Sequence, residues 1–186
     1  MTSLLTAWAL CALTSIFGKD RPPLHDFTWY PAALSDATPK ARAAAKAELV
    51  KLERAYWRYV ALPTGGSRNS DWARLVDAEG KLIDGYLGLI SNHKVADISV
   101  CAWMRIGDVI LRLSENLERF PPTEPDTAGG PELVESHYPG NDGSIARRAL
   151  EAFERGADEA KRLGIDSRCA GRSAERVAFL RRANAL

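Results

Sequence analysis

The sequence predicts an all-α protein: a single-domain bundle of five or six helices around a central antiparallel helical hairpin at about residues 70–120. Three observations predict it. The 27 residues from Lys94 to Phe120 contain no proline and end against Pro121-Pro122. As a helix they place Ile98, Ala102, Ile106, Val109, Leu113, Leu117 and Phe120 on one stripe, and Val100, Met104, Gly107 and Leu111 on a second. The polar strip is narrow (Asp97, Arg105, Asp108, Arg112, Glu115 and Arg119), and a helix that is apolar over most of its circumference needs neighbours on several sides. Segments 39–62, 70–90 and 144–163 repeat apolar residues at three- and four-residue spacing between caps and breakers. No segment shows the period-two alternation of a half-buried strand, and there is no internal repeat.

Residues 3–17, SLLTAWALCALTSIF, are uncharged and mostly apolar. The run is shorter than the roughly 20 residues a membrane span needs. It also lacks the basic n-region and small-residue cleavage site of a signal peptide. A buried N-terminal helix over 1–17 is expected, with a hydrophobic anchor to a partner or a membrane surface as the alternative. Pro22, Pro23 and Pro31 make 18–38 a connection, with Phe27, Trp29 and Tyr30 expected as a partly buried strap across the bundle.

Thr38-Pro39 is a helix start, an N-cap followed by proline at the first helical position. Pro63 and Gly65-Gly66 stop that helix near Leu62. Leu49, Leu52, Tyr56 and Tyr59 are its expected core residues, and Val50, Trp57 and Val60 widen the face. The 63–70 stretch, PTGGSRNS, lacks the ending of a phosphate-binding P-loop and reads as an interhelical loop. The next helix, to about Ile90, should bury Trp72, Leu75, Val76, Leu82, Ile83, Tyr86, Leu87 and Ile90. Gly80, Gly85 and Gly88 each cost it about 1 kcal/mol relative to Ala. That cost suggests close approach by a neighbouring backbone, or a break near Glu79-Gly80. Asn92 suits a left-handed cap in a turn at 91–93.

Residues 121–143 contain five Pro, four Gly and five acids, which suits a functional loop or a tether. A helix from Ser144 to Gly164 offers Ala149, Leu150, Phe153, Ala157, Ala160 and Leu163 to the core, with surface pairs Glu151–Arg155 and Asp158–Arg162. After a turn holding Cys169 and Gly171, Ser173 is expected to start a last helix that buries Val177, Phe179 and Leu180.

The apolar (46%) and charged (26%) fractions are those of an ordinary globular domain, and the net charge of +1 gives no global field. The charge is unevenly placed. Residues 39–62 carry six Lys/Arg against two Glu, 121–143 carry five acids and no Lys or Arg, and 164–186 carry five Arg against two acids. Cys11, Cys101 and Cys169 form no CxxC pair, and an odd count without a framework suggests reduced thiols in a reducing, cytoplasmic setting. With three His and no metal-ligand spacing, no metal and no cofactor is implied.

The chemistry-bearing patterns are weak, and the basic segments are the better of them. Lys51, Arg54 and Arg58 alternate with Tyr56, Trp57 and Tyr59. Arg168, Arg172 and Arg176 recur every four residues, and Arg181-Arg182 extend the charge. Lys and Arg neutralise phosphates and aromatics stack on unpaired bases, so these eight cations are the candidate nucleic-acid contacts. Trp8, Phe27, Trp29, Tyr30 and Trp57 are the candidate anchors for a protein partner. The polar strip of 94–120 reads as a surface ladder, Asp108 with Arg112 at i+4 and Arg105 at i−3, and Glu115 with Arg119. The function expected is a non-catalytic helical subunit of a larger assembly that docks on a partner protein, with contact to DNA or RNA backbone. The alternatives are a stand-alone nucleic-acid-binding protein or nucleoprotein-complex small subunit, a bundle enzyme with a carboxylate/His site, and a protein held at a membrane surface by 3–17.

Overall fold

The computed structural model describes residues 27, 33, 37–62, 69–119 and 144–183, the side chains of 69–73, 117, 118 and 144 excepted. The expectations for 1–17, Trp29, Tyr30, 63–68 and 121–143 lie outside these residues. Within them are five helices: α1 (Pro39–Val60), α2 (Asn69–His93), α3 (Ala96–Arg119), α4 (Ser144–Leu163) and α5 (Arg168–Ala183). The protein is an all-α bundle, and α3 is its centre, packing against the other four.

Local chemistry sets the helix ends. The Thr38 hydroxyl accepts the Ala41 N–H at 3.2 Å, and Pro39 opens α1. α4 closes with Gly164 at φ 64. The Ile165 N–H returns to the Ala160 carbonyl at 2.9 Å and the Gly164 N–H to Lys161 at 3.4 Å, which is the Schellman arrangement. Two boundaries differ from expectation. α2 runs through 91–93, and Lys94 (φ 53), not Asn92, takes the left-handed position that turns the chain into α3. α5 begins at Arg168 and not Ser173: Ser167 caps it, its hydroxyl accepting the Ala170 N–H at 3.2 Å and its carbonyl the Gly171 N–H at 3.0 Å. The extra turn places Ser173 inside the helix, where it is fully buried.

The core lies on both sides of α3. Trp103, Ile106, Val109, Ile110 and Leu113 are buried, facing Val76, Ile83, Tyr86, Leu89 and Ile90 of α2 and Ala149, Ala152 and Phe153 of α4. α4 comes close because Gly107 leaves room for the Phe153 ring: a Cβ there would lie 2.7 Å from two ring carbons. α2 is unbroken at Glu79-Gly80. Of its three glycines only Gly85 meets a close neighbour, and that neighbour is the Leu52 side chain and not a backbone. The 18–38 connection is described at Phe27 and Ala33 as well as at its end, and Phe27 is buried outright. Phe27 packs edge-on against Trp103, ring centroids 5.3 Å apart. The Ala33 N–H donates to Glu159, and Arg162 donates to the Ala33 carbonyl at 3.1 Å.

Three further expectations are corrected. Cys101 and Cys169 are not free thiols but a disulfide, S–S 2.01 Å. They lie 68 residues apart in sequence, yet the return of α4 and α5 along α3 brings them together. That pairing removes the ground for expecting a reducing compartment. Phe179 is not buried but 53% exposed, and Val50 (44%) and Trp57 (60%) also face outward, so the apolar faces of α5 and α1 are narrower than expected. The Glu151–Arg155 pair is not formed. Glu151 pairs with Arg148 at 2.9 Å, and the Arg155 guanidinium lies 5.0 Å over the Trp103 ring.

Candidate interaction surface

The surface is best built from the ion network beneath it. Glu53 shares the α1 stripe of Leu49, Tyr56 and Val60, so the helix turns it inward. A carboxylate carried into a packed interface must be paired, and Arg105 of α3 pairs it with both arms of its fork, Nε–Oε1 2.7 Å and Nη2–Oε2 2.7 Å. Tyr86 adds a hydroxyl at 3.2 Å to Glu53. Arg105 also reaches Asp108 at 3.1 Å, and Asp108 takes Arg172 of α5 on its other oxygen at 3.1 Å. Of the expected ladder at Asp108 the Arg105 pair forms and the Arg112 pair does not: Asp108 is buried, not at the surface, its second partner is Arg172, and Arg112 donates to the Val60 carbonyl. Arg112 at i+4 is free to bridge to α1 because α5 supplies the second cation that Asp108 needs.

Electrostatics follows this geometry. Burial alone would lower the Arg105 pKa, but hydrogen bonding to Glu53 and its charge outweigh it, and the guanidinium is held more firmly charged than usual. Burial, helped by the Glu53 carboxylate, pushes the Tyr86 phenol well up. Tyr56 is raised by burial and by Asp108, and Tyr59 well up by burial and by Glu79. Arg105 stays charged and the phenols stay neutral at ordinary pH, and the groups of the network satisfy one another. It clamps α1, α2, α3 and α5 together.

This clamp decides what α1 shows to the outside. Both of its carboxylates are paired to other helices, Glu53 to Arg105 and the part-exposed Glu48 to His93 at 2.8 Å. What remains on the outer face is cationic. Lys51, Arg54 and Arg58 are exposed, and they flank Val50 and Trp57, which stand two turns apart with Arg54 between them in the same stripe. Trp57 also lies near the Arg105 guanidinium, 5.9 Å from its ring.

The eight candidate cations are not one face. Arg172 is bound to Asp108, and Arg181 to Glu154 at 2.8 Å. Arg168 and Arg182 are exposed and Arg176 is half-buried. α1 and α5 flank the same strip of α3, but Lys51, Arg54 and Arg58 sit about 100–160° around α1 from Glu53, which faces that strip. Arg58 instead borders a cleft of about 270 Å³ between α1 and α2. Of the candidate partner anchors, Trp57 is exposed. Phe27, at 4% exposure, is a core residue because Trp103 takes up its ring, so it is not an anchor. Trp8, Trp29 and Tyr30 lie outside the described residues. The exposed Val50 was hidden in the sequence by its regular apolar spacing. The one signal for the network was Glu53 at a core position, which calls for a cation on a neighbouring helix.

Among the described residues, no group of three or more His, Cys, Asp or Glu is arranged to hold a metal ion, and no helix is long and apolar enough to cross a membrane. No protein-family model, curated protein or solved structure matches the chain.

Proposed function

We propose that this protein is a non-catalytic helical subunit that docks on a partner protein through the outer face of α1. One observation carries the reading: Val50 and Trp57 are exposed together on a helix whose two carboxylates are both paired to neighbouring helices. Trp with a neighbouring Arg is the pairing found at binding hot spots. A contact to nucleic-acid backbone through Lys51, Arg54 and Arg58 is the second reading, supported by the exposure of these three cations beside Trp57. The place of action goes with the disulfide. The reading includes a compartment where Cys101–Cys169 persists, in place of the reducing cytoplasm that the odd cysteine count suggests.

The test compares Trp57→Ala and Arg54→Glu with the wild type, after melting curves show that both fold. Docking predicts one defined protein retained by the wild type and lost with Trp57→Ala, in nuclease-treated extract. Identical retention by both sinks it. Retention on single-stranded DNA or RNA at low salt, lost with Arg54→Glu and unaffected by Trp57→Ala, selects the second reading.

A further inference from the structure

The cleft between α1 and α2 is a separate feature, on the opposite flank of α1 from Glu53. Its walls are apolar: Leu52 and Tyr59 from α1 meet Ala78 and Leu82 from α2. Tyr59 brings no free hydroxyl to it, because that group donates to the Val109 carbonyl at 3.2 Å in the interior. Burial and Glu79 keep the same phenol neutral. The charged residues that line the cleft are Arg58 and Lys81, one from each helix, and no carboxylate lines it among the described residues. Arg58 spends one donor, Nε, on the Arg54 carbonyl at 3.4 Å, out of the five a guanidinium has. Lys81 pairs with Asp77 at 2.7 Å, but both side chains are largely exposed. An i,i+4 pair in water exchanges readily for another anion.

An apolar trough with two cations lining it matches one chemistry: an alkyl chain carrying an anionic head. We infer that this cleft binds a free fatty acid, the chain along Leu52, Tyr59, Ala78 and Leu82 and the carboxylate on Arg58 and Lys81. The cleft, about 270 Å³ and open to solvent, has room for an alkyl chain. Burying those methylenes supplies the affinity, and the cations select the head group. Arg58 is shared with the cationic flank of the Val50–Trp57 face, but Lys81 and the apolar walls are not, so Trp57→Ala should leave decanoate uptake unchanged and Ala78→Phe should leave partner retention unchanged.

Isothermal titration of the full chain with decanoate, decyltrimethylammonium and 1-decanol tests it, each below its micellar or solubility limit. Saturable one-to-one binding of decanoate is expected, with decyltrimethylammonium at least about tenfold weaker, the loss of roughly one charge-assisted contact. Arg58→Gln with Lys81→Gln should weaken decanoate about tenfold and leave 1-decanol unchanged. Ala78→Phe should abolish uptake of both by filling the trough. Circular dichroism checks that each variant is folded, and if Ala78→Phe is not, the smaller Ala78→Leu serves in its place with a smaller loss. No saturable decanoate binding overturns the inference, as does equal binding of the cationic amphiphile. Flotation with phosphatidylglycerol vesicles in the absence of decanoate uptake also overturns it, and assigns the two cations to a membrane surface.

Discussion

Arg105 shows how much of this bundle rests on single side chains. It holds Glu53 with two bonds and Asp108 with a third, and it lies 4.4 Å over the Tyr56 ring. Its side chain is 14% exposed and that of Asp108 3%. Taking one member from such a cluster leaves the others buried without their partner, which costs more than the cluster contributes when whole. Arg105→Met should therefore lower stability by about 2–4 kcal/mol, measured by urea denaturation. A loss under about 1 kcal/mol would show that water or a rearranged Arg172 compensates. The double variant Arg105→Met with Glu53→Met should recover part of the loss, because it removes the stranded carboxylate as well. Glu53 was readable as an anomaly in the sequence, a carboxylate on the stripe of Leu49 and Tyr56. Which cation met it was not readable, since Arg105 and Arg112 both lie on the polar strip of α3 and only packing decides between them.

At the scale of elements, α5 is the instructive case. Its sequence, RCAGRSAERVAFLRRA, contains Gly171 and Ser173 early, both weak helix formers, so local propensity favours a later start. The earlier start is held by tertiary contacts: the Ser167 cap, the Cys101–Cys169 bridge and the Arg172–Asp108 pair all fall in its first two turns. The bridge closes a long loop in the unfolded chain, and a loop with a separation of 68 residues places its contribution at about 2–4 kcal/mol. Cys169→Ser should lower the urea midpoint accordingly, and wild type in reductant should match the variant. Equal midpoints for oxidised wild type and variant would mean that the sulfurs are not bonded in solution. α5 should stay docked on α4 in either case through Ser173, Leu180 and the Arg181–Glu154 pair. α1 makes the complementary point. Val50 and Trp57 have the spacing of core residues, and they are outside because α2 and α3 cover only the arc holding Leu52, Tyr56 and Tyr59.

For the whole molecule, the phenols of Tyr56, Tyr59 and Tyr86 tie stability to alkaline pH. All three are raised above the ordinary value of 10.0, chiefly by burial, with nearby carboxylates adding to the effect. A group whose folded pKa is raised contributes stability that is fully present below its unfolded pKa and is lost as pH rises above it. Stability should thus be insensitive to these groups up to about pH 10 and fall steeply beyond it. Phenolate absorbance should appear together with loss of helical circular dichroism. Smooth titration of all five tyrosines while the helices persist would show that the three rings are accessible. At this scale the sequence alone determined the all-α class, the antiparallel 70–120 hairpin, the Thr38 and Gly164 helix ends and most of α3's buried residues. Each follows from local signals: apolar periodicity, a capping hydroxyl, a glycine that tolerates positive φ. The tertiary structure decided what pairs with what. It joined Cys101 to Cys169, gave Asp108 to Arg172 in place of Arg112, buried Phe27 on Trp103 and left Val50, Trp57 and Phe179 outside. The physical reason is common to all four. Helical periodicity specifies which residues share a face, but whether a face is covered, and by which distant residue, depends on how α1, α4 and α5 are arranged around α3.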